Sequence, residues 1–358
     1  MIVPTACNLD SNLWKGRRVL LTGHTGFKGS WLAAWLVRMG AQVVGYSQAP
    51  EGPTYRLFRD SGLEGRMESH YGDLLDLPQL LALAREFQPE VMLHLAAQAL
   101  VRKSYDDPVG TYASNVMGTV HALDVMRQVE SLQAAVIVTT DKCYENQEWL
   151  WPYRENDVLG GHDPYSNSKA CAELVTQAYR SSYLQAGGKL VATARAGNVI
   201  GGGDMAEDRL VPDAVRAFCA GQALEIRSPG ATRPWQHVLD PLHGYLLLAQ
   251  RLLRGESAYA EAFNFGPAEE HSVGEVVQRL VSGWGDGARF EAPEGEHPHE
   301  ASRLHLDSRK ARAGLGWAPR LDLEASLGMC VEFYKAWEGG GDAWRLLEGD
   351  LARFEALS

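Results

Sequence analysis

The chain has 358 residues, of which 45% are hydrophobic and 22% charged, enough for one large α/β unit plus a smaller lobe. Its net charge of −11 and pI near 5.5 disfavour nucleic acid and anionic membranes as main partners, because both attract basic surfaces. A small anionic ligand is not excluded, since it needs only a few local cations.

The cysteines and the N-terminal segment indicate a cytoplasmic protein. The five cysteines are widely scattered and form no Cys-x-x-Cys pair, which is typical of a reducing compartment and gives no metal-ligand pattern. The start of the chain lacks a basic stretch followed by an apolar core, and no apolar run approaches the roughly 20 residues that span a bilayer. We therefore expect no export signal, no membrane anchor and no bound metal.

Short apolar runs alternate with helix-length stretches along the chain. Strands are expected at 17–22, 42–46, 67–71, 91–95, 135–139, 190–194 and 262–265, and the first amphipathic helix at 31–39. This alternation predicts an α/β fold with a Rossmann-type, doubly wound parallel sheet covered by helices on both faces.

The composition of the sequence changes near residue 197, where glycines and prolines become frequent and the stretches with helical periodicity become shorter. We predict a Rossmann domain over 1–196, completed by segments near 238–268. The remainder, 197–358, is expected to form mainly a smaller C-terminal substrate-binding lobe.

A glycine-rich turn follows the first predicted strand and opens the first helix. Its glycines are Gly23, Gly26 and Gly29. In a dinucleotide-binding turn the first glycine permits the tight turn, the second lets a pyrophosphate approach the backbone, and the third lets the helix lie close to the sheet. The placement between strand and helix favours a phosphate site over a plain turn.

Asp73 follows the third predicted strand, where its carboxylate could accept a hydrogen bond from an adenine amino group. A strand-end turn aspartate is the alternative interpretation. The second strand ends in Ser47-Gln48, with neither an acidic residue for a ribose 2′-hydroxyl nor an arginine for a 2′-phosphate. These residues alone leave NAD and NADP both open.

Tyr165 and Lys169 lie four residues apart on a helix that Asp163-Pro164 is predicted to start. The spacing places both side chains on one helix face. A nearby ammonium is expected to lower the pKa of the phenol, so that Tyr165 can remove a hydroxyl proton as hydride leaves the same carbon.

Thr140, Asp141 and Lys142 follow the fifth predicted strand, at the edge where open α/β sheets bind their ligands. Thr140 could hydrogen-bond a substrate hydroxyl, Asp141 could act as a general acid, and Lys142 could act as a base if its pKa is lowered. A solvated turn with an ion pair is the alternative. An additional acid and base beside Tyr165 indicate proton chemistry beyond simple dehydrogenation, such as elimination of water.

The predicted C-terminal lobe contains polar residues suited to a diphosphate, because arginine forms charge-assisted hydrogen bonds with phosphate oxygens. The candidates are Asn198, Arg209, Arg233 and Arg303.

Several phrases of the sequence resemble the extended short-chain dehydrogenase/reductases and, within them, the CDP-glucose 4,6-dehydratases. They are LLTGHTGFKGSWL at 20–32, LHLAAQAL at 93–100, YASNVMGT at 112–119, TTDKCY at 139–144, PYSNSK at 164–169, RAGNVIGGGD at 195–204 and RPWQHV at 233–238. The glycine and Tyr/Lys motifs mark only the superfamily. The phrases around Lys28 and around Asp141 are narrower.

The resemblance implies a bound NAD that is regenerated in each turnover, and CDP-glucose as the substrate of a dehydration that serves deoxysugar and surface-polysaccharide synthesis. It implies cofactor contacts from Gly23, Gly26, Phe27, Gly29, Asp73, Leu95, Ala96, Ala97, Tyr165 and Lys169. It also implies a homodimer paired through the helix before Arg127 and the helix containing Tyr165.

Three alternatives remain open at this stage. Related dTDP-glucose dehydratases have a glutamate where this chain has Lys142, so either a neutral Lys142 or a water could be the base at C5. A nucleotide-sugar 4-epimerase would use Tyr165 and Lys169 but would not need Asp141. A non-catalytic NAD(P)-binding regulator could share the fold.

Overall fold

The computed structural model describes residues 8–285, 287–292 and 304–357. Its strands are β1 Arg18–Thr22, β2 Gln42–Ser47, β3 Glu68–Tyr71, β4 Val91–His94, β5 Ala134–Val138, β6 Leu190–Ala196, β7 Val199–Ile200, β8 Ala223–Glu225, β9 Thr232–Arg233, β10 Gln236–His237, β11 Ala262–Phe265, β12 His271–Ser272 and β13 Arg289–Glu291.

The helices are α1 Ser11–Trp14, α2 Phe27–Arg38, α3 Arg56–Asp60, α4 Leu77–Phe87, α5 Val101–Asp106, α6 Pro108–Tyr112, α7 Gly118–Gln128, α8 Pro164–Tyr179, α9 Leu210–Cys219, α10 Leu239–Leu253, α11 Val273–Trp284, α12 Arg309–Leu315, α13 Leu323–Glu338 and α14 Ala343–Glu355. None of these described helices combines the length and the apolar character that crossing a membrane requires.

All seven strands expected from the sequence join one parallel sheet, in the order β11-β6-β5-β4-β1-β2-β3. Successive strand residues face opposite sides, so a sheet covered on both faces needs continuous apolar runs. Val19 and Leu21 of β1 accordingly lie in one core, whereas Leu20 lies in a second core on the other face. The predicted α/β fold with a doubly wound parallel sheet is confirmed.

The helix predicted at 31–39, which is α2, begins earlier than expected. It starts at Phe27, not at residue 31, and Ser30 N donates to Gly26 O at 2.8 Å. The prediction was wrong because apolar periodicity marks only the buried part of a helix, whereas the side chains of Phe27 and Lys28 are only half-buried.

Beyond β6 the chain forms short two-stranded pairs: β10 with β7, β12 with β9 and β13 with β8. β11 then returns to the main sheet beside β6, and α10 packs against β5 and β6. The last helix, α14, packs against α2, where Trp35 Nε1 donates to Glu355 Oε1 at 2.9 Å. The short β10–β7 pair comes directly after β6, beyond the carboxyl end of that strand, which is the edge where open α/β sheets bind their ligands.

Candidate active site

The glycine turn connects β1 to α2, and its three glycines differ in what surrounds them. Gly23 has a φ of +76°, and a side chain there would lie 2.7 Å from the backbone nitrogen of Ala96. A side chain at Gly29 would lie 1.9 Å from Gly23 O. These two glycines are required by the fold itself.

Gly26 is different, because a Cβ there would meet only Gly23 O, at 3.5 Å. It is also the N-cap of α2 and provides no capping side chain, so the first N–H groups of the helix have no side-chain acceptor at that position. Open space beside a helix N-terminus fits a phosphate group. Leu95, Ala96 and Ala97 follow β4 next to this turn and are half-buried.

The end of β2, where the adenosine half of a dinucleotide is expected to bind, carries polar but no acidic residues. Ser47 pairs with Thr25 through hydroxyl groups 2.7 Å apart. Asp73 is exposed, and its Oδ1 accepts a hydrogen bond from Leu75 N at 2.9 Å. This contact is the one expected of a strand-end turn aspartate, and the adenine contact of Asp73 stays a prediction.

Helix α8 begins as the sequence predicts. Asp163 caps it by accepting a hydrogen bond from Ser166 N at 2.9 Å, and Pro164 occupies the first turn. Tyr165 and Lys169 are both buried, and Lys169 Nζ donates to Val138 O at 3.2 Å. Burial lowers the pKa of Lys169 to about 8, although the charge of Glu173 opposes this change.

The expected lowering of the pKa of Tyr165 by Lys169 was wrong. Burial raises the pKa of Tyr165 to about 12 and outweighs the lowering by a hydrogen bond with Thr140 and by the charge of Arg209. A buried phenolate loses its hydration, and the nearby Asp141 charge opposes its formation further.

Thr140, Asp141 and Lys142 lie where β5 ends, in a short 3₁₀ turn over Asp141–Cys143. Thr140 Oγ1 donates to Asp141 Oδ1 at 2.9 Å, whereas the buried Oδ2 of Asp141 has no hydrogen-bond partner among the described residues. A side chain at Gly197 would lie 3.0 Å from that oxygen. Leaving such an atom unpaired costs about 1–3 kcal/mol, so the carboxylate fits a ligand hydroxyl.

The four substrate-binding candidates differ in their surroundings. Arg209 pairs with Asp204 at 3.6 Å and lies within electrostatic reach of Tyr165. Arg233 is buried, and its neighbour Pro234 contacts the same space beside Gly197 that Asp141 faces. The backbone carbonyl of Asn198 accepts a hydrogen bond from Gln236 N at 3.0 Å, and Arg303 lies outside the described residues.

Two residues that the sequence analysis did not assign to the site lie within it. Burial lowers the pKa of Lys28 to about 7, assisted by the charges of Arg209 and Lys169 and opposed by that of Asp141. Lys28 Nζ lies 5.9 Å from the ring centre of Tyr245, which is buried. The narrow phrase around Lys28 was the available signal, but no sequence pattern joins it to a residue more than 200 positions away.

Comparisons with known proteins identify the family of this chain. The family model for GDP-mannose 4,6 dehydratase matches residues 20–329. The chain is 51% identical to CDP-glucose 4,6-dehydratase of Salmonella typhimurium, over 93% of this chain and 95% of that protein. It is 28% identical to UDP-glucose 4-epimerase of Mycolicibacterium smegmatis, over 89% of this chain and 98% of that protein.

Among solved structures, the dTDP-glucose 4,6-dehydratase DesIV of Streptomyces venezuelae, crystallised with NAD, superposes with a TM-score of 0.76. It shares 24% sequence identity, and the match covers 91% of this chain and 99% of that one. This likeness concerns the fold. The family match and the 51% identity go further: the chain belongs to the GDP-mannose 4,6 dehydratase family, within the extended short-chain dehydrogenase/reductases.

Proposed function

We propose that this chain is an NAD-dependent hydro-lyase that converts CDP-D-glucose to CDP-4-keto-6-deoxy-D-glucose and water. The observation that carries the proposal is the buried, unpartnered Oδ2 of Asp141, beside Thr140 and Tyr165. A dehydration needs an acid at a leaving hydroxyl in addition to a base at C4. The similarity to a CDP-glucose 4,6-dehydratase supports the same reaction and the cytidine nucleotide.

The residues around the glycine turn fit a dinucleotide. The open side of Gly26 admits the pyrophosphate, Gly23 and Gly29 shape the turn, and Phe27 lies at the helix start. Leu95, Ala96 and Ala97 form the facing wall, Lys169 holds the nicotinamide ribose and Asp73 the adenine. NAD held by these residues would supply an acceptor for the C4 hydride and a donor of hydride to C6, and its positive ring charge would lie within the site.

Tyr165 begins the reaction by removing the proton of the C4 hydroxyl, while Thr140 hydrogen-bonds the same oxygen. Burial disfavours the phenolate, so Tyr165 needs nearby positive charge to act as the base. Arg209 already lowers the pKa of Tyr165. Oxidation at C4 then acidifies the C5 proton.

Asp141 and Lys142 carry out the second half of the reaction, the elimination of water. Asp141 protonates the C6 hydroxyl so that it leaves as water, and Lys142 removes the C5 proton. The side chain of Lys142 is half-buried beside Asp141, within the same short turn. A water at this position is the remaining alternative for the C5 base.

The rest of the chain positions the nucleotide. We propose that residues 1–196, completed near 238–268, bind NAD, and that 197–358 form mainly the substrate-binding lobe. Asn198, Arg209, Arg233 and Arg303 are proposed to bind the sugar diphosphate, because charge-assisted donors suit phosphate oxygens.

A nucleotide-sugar 4-epimerase is the second candidate, and the similarity to a UDP-glucose 4-epimerase favours it to a lesser degree. Tyr165 and Lys169 would serve both reactions. An epimerase has no use for an acid at C6, so the buried Asp141 favours dehydration.

Incubating the purified protein with CDP-, UDP-, dTDP- and GDP-glucose tests the proposal. We expect the ultraviolet band of a 4-keto-6-deoxy product, fastest with CDP-glucose. Release of a C4-inverted sugar that keeps its C6 hydroxyl would instead establish the epimerase.

Gly26→Val should abolish NAD binding while leaving the protein folded. The added side chain would occupy the space proposed for the pyrophosphate, whereas its nearest protein atom lies 3.5 Å from the Cβ position. Calorimetric titration with NAD and a thermal melt measure the two effects. Gly29→Val is the contrasting variant and should unfold the protein, and unchanged NAD affinity in folded Gly26→Val would move the phosphate site elsewhere.

We also propose a homodimer paired through α7 and α8, which pack beside each other. Large apolar side chains are exposed on or beside helices α5–α8, namely Tyr105, Val109, Met117, Leu174 and Tyr183. Light scattering should give twice the chain mass of 39.3 kDa, and Leu174→Glu should reduce it to one chain. A wild-type monomer would contradict this assembly.

A further inference from the structure

A buried ion pair, Glu173 with Arg195, lies one helical turn beyond Lys169 on α8. Glu173 follows Lys169 by one helical turn, is 4% exposed, and accepts from Arg195 Nη2 at 2.8 Å. Thr139 Oγ1 donates to Glu173 Oε1 at 2.5 Å, and Thr193 Oγ1 donates to Oε2 at 2.7 Å. The carboxylate therefore joins α8 to the end of β5 and to β6.

The same network extends to the Asp141–Cys143 turn. Arg195 Nη1 donates to Tyr144 Oη at 2.7 Å, and Tyr144 in turn donates to Asn264 Oδ1 at 2.7 Å. Tyr144 directly follows the Asp141–Cys143 turn. One connected set of buried bonds thus joins the helix that carries Lys169 to the turn that carries Asp141.

We propose that Glu173 is a positioning residue whose carboxylate fixes both the place and the charge of Lys169 and, through Arg195 and Tyr144, its distance from the Asp141 turn. The inference deepens the proposed function, which supplies the role of Lys169. Burial of a carboxylate is unfavourable unless it is fully hydrogen-bonded, and here it accepts bonds from three side chains.

Among the charged groups near Lys169, the Glu173 carboxylate contributes most to keeping the amine protonated. Glu173 on α8 favours the protonated amine, whereas burial raises the pKa of the Cys143 thiol in the neighbouring turn and keeps it neutral. Lys28 on α2 faces it with a like charge, and His94 on β4 is buried and neutral, with its pKa lowered to about 3. Arg195 pairs with Glu173 and stabilises its carboxylate.

Glu173→Gln keeps the side-chain shape but removes the charge that holds Lys169 protonated. The pKa of Lys169 should then fall by about one pH unit, the usual scale for losing a close opposite charge. Its protonated form is lost on raising pH, so the variant should lose activity on the alkaline side first. The ratio of variant to wild-type kcat/KM should fall about tenfold between pH 6 and pH 9.

Two matched variants separate charge from structure. Thr193→Val removes one hydrogen bond of the same carboxylate, and Glu173→Asp keeps the charge on a shorter side chain. Both should lower kcat/KM by a factor that does not change with pH. If Glu173→Gln destabilises the fold, the double variant Glu173→Gln, Arg195→Met removes both buried charges and should show the same pH-dependent loss.

A titration of the lysine side-chain signals by NMR, in the full chain without added cofactor and with Lys169→Met for assignment, provides a readout that needs no substrate. The Lys169 signal should titrate about one pH unit lower in Glu173→Gln than in the wild type. An unchanged titration, or a loss of activity uniform in pH, overturns the positioning role. Wild-type protein inactive on every nucleotide-glucose would overturn the proposed function and leave the NMR result to decide the inference.

Discussion

Replacing Tyr165 with phenylalanine should lower kcat by at least about 100-fold while the protein stays folded. Phenylalanine fills the same buried space, and the lost hydroxyl contributes a hydrogen bond with Thr140, a net loss of only about 1 kcal/mol. The proton of the C4 hydroxyl would have no acceptor, so oxidation at C4 could not begin. Initial rates of CDP-4-keto-6-deoxyglucose formation, a thermal melt and calorimetric NAD affinity measure the three expectations.

Tyr179→Phe, on the same helix but outside the site, is the matched control and should keep wild-type activity. NAD affinity should be similar in both variants, because the glycine turn is untouched. Activity of Tyr165→Phe above about a tenth of the wild-type value would remove Tyr165 from the role of base.

The pH profile of the wild type follows from two buried groups. Tyr165 must lose its proton although burial raises its pKa to about 12, whereas Lys169 must keep its proton although burial lowers its pKa to about 8. The sequence places the two residues on one helix face but does not show how deeply that face is buried. The expected lowering of the Tyr165 pKa failed for this reason: desolvation outweighs a charge four residues away.

The sheet could be predicted because its signal is local. Seven apolar runs became the seven strands, since a strand covered on both faces needs apolar residues at consecutive positions. The glycine spacing likewise located the β1–α2 turn, and Asp163-Pro164 located the start of α8. In each case the residues that define the feature lie within one element or one turn.

Residues whose partners are distant in the chain could not be predicted. Lys28 comes close to Tyr245, and Glu173 pairs with Arg195, only because the strands and helices carrying them are adjacent in space. Neither pair has a characteristic spacing. The open space beside Gly26 is also a property of the fold, since the sequence shows three glycines and does not distinguish the one facing a ligand from the two packed against backbone.

Asp141→Asn should separate the two halves of the reaction. Oxidation at C4 does not use the Asp141 proton, so that step should proceed in the variant. Elimination of water should slow by about 100-fold or more, on the scale of general-acid losses. Stopped-flow absorbance should therefore show enzyme-bound NADH forming at about the wild-type rate and then persisting, with a 4-keto sugar that retains its C6 hydroxyl.

Glu145→Gln, a neutralised carboxylate four residues farther along and exposed, is the matched control and should behave as the wild type. Lys142→Met tests which group removes the C5 proton. If Lys142 is the base, exchange of the C5 hydrogen with solvent deuterium should slow in step with turnover. If a water is the base, this exchange should be nearly unchanged. If Asp141→Asn formed the 4-keto-6-deoxy sugar at the wild-type rate, Asp141 would not be the acid. In that case the buried Oδ2 would serve to bind a substrate hydroxyl rather than to expel one, because an amide can still hydrogen-bond but cannot supply the proton.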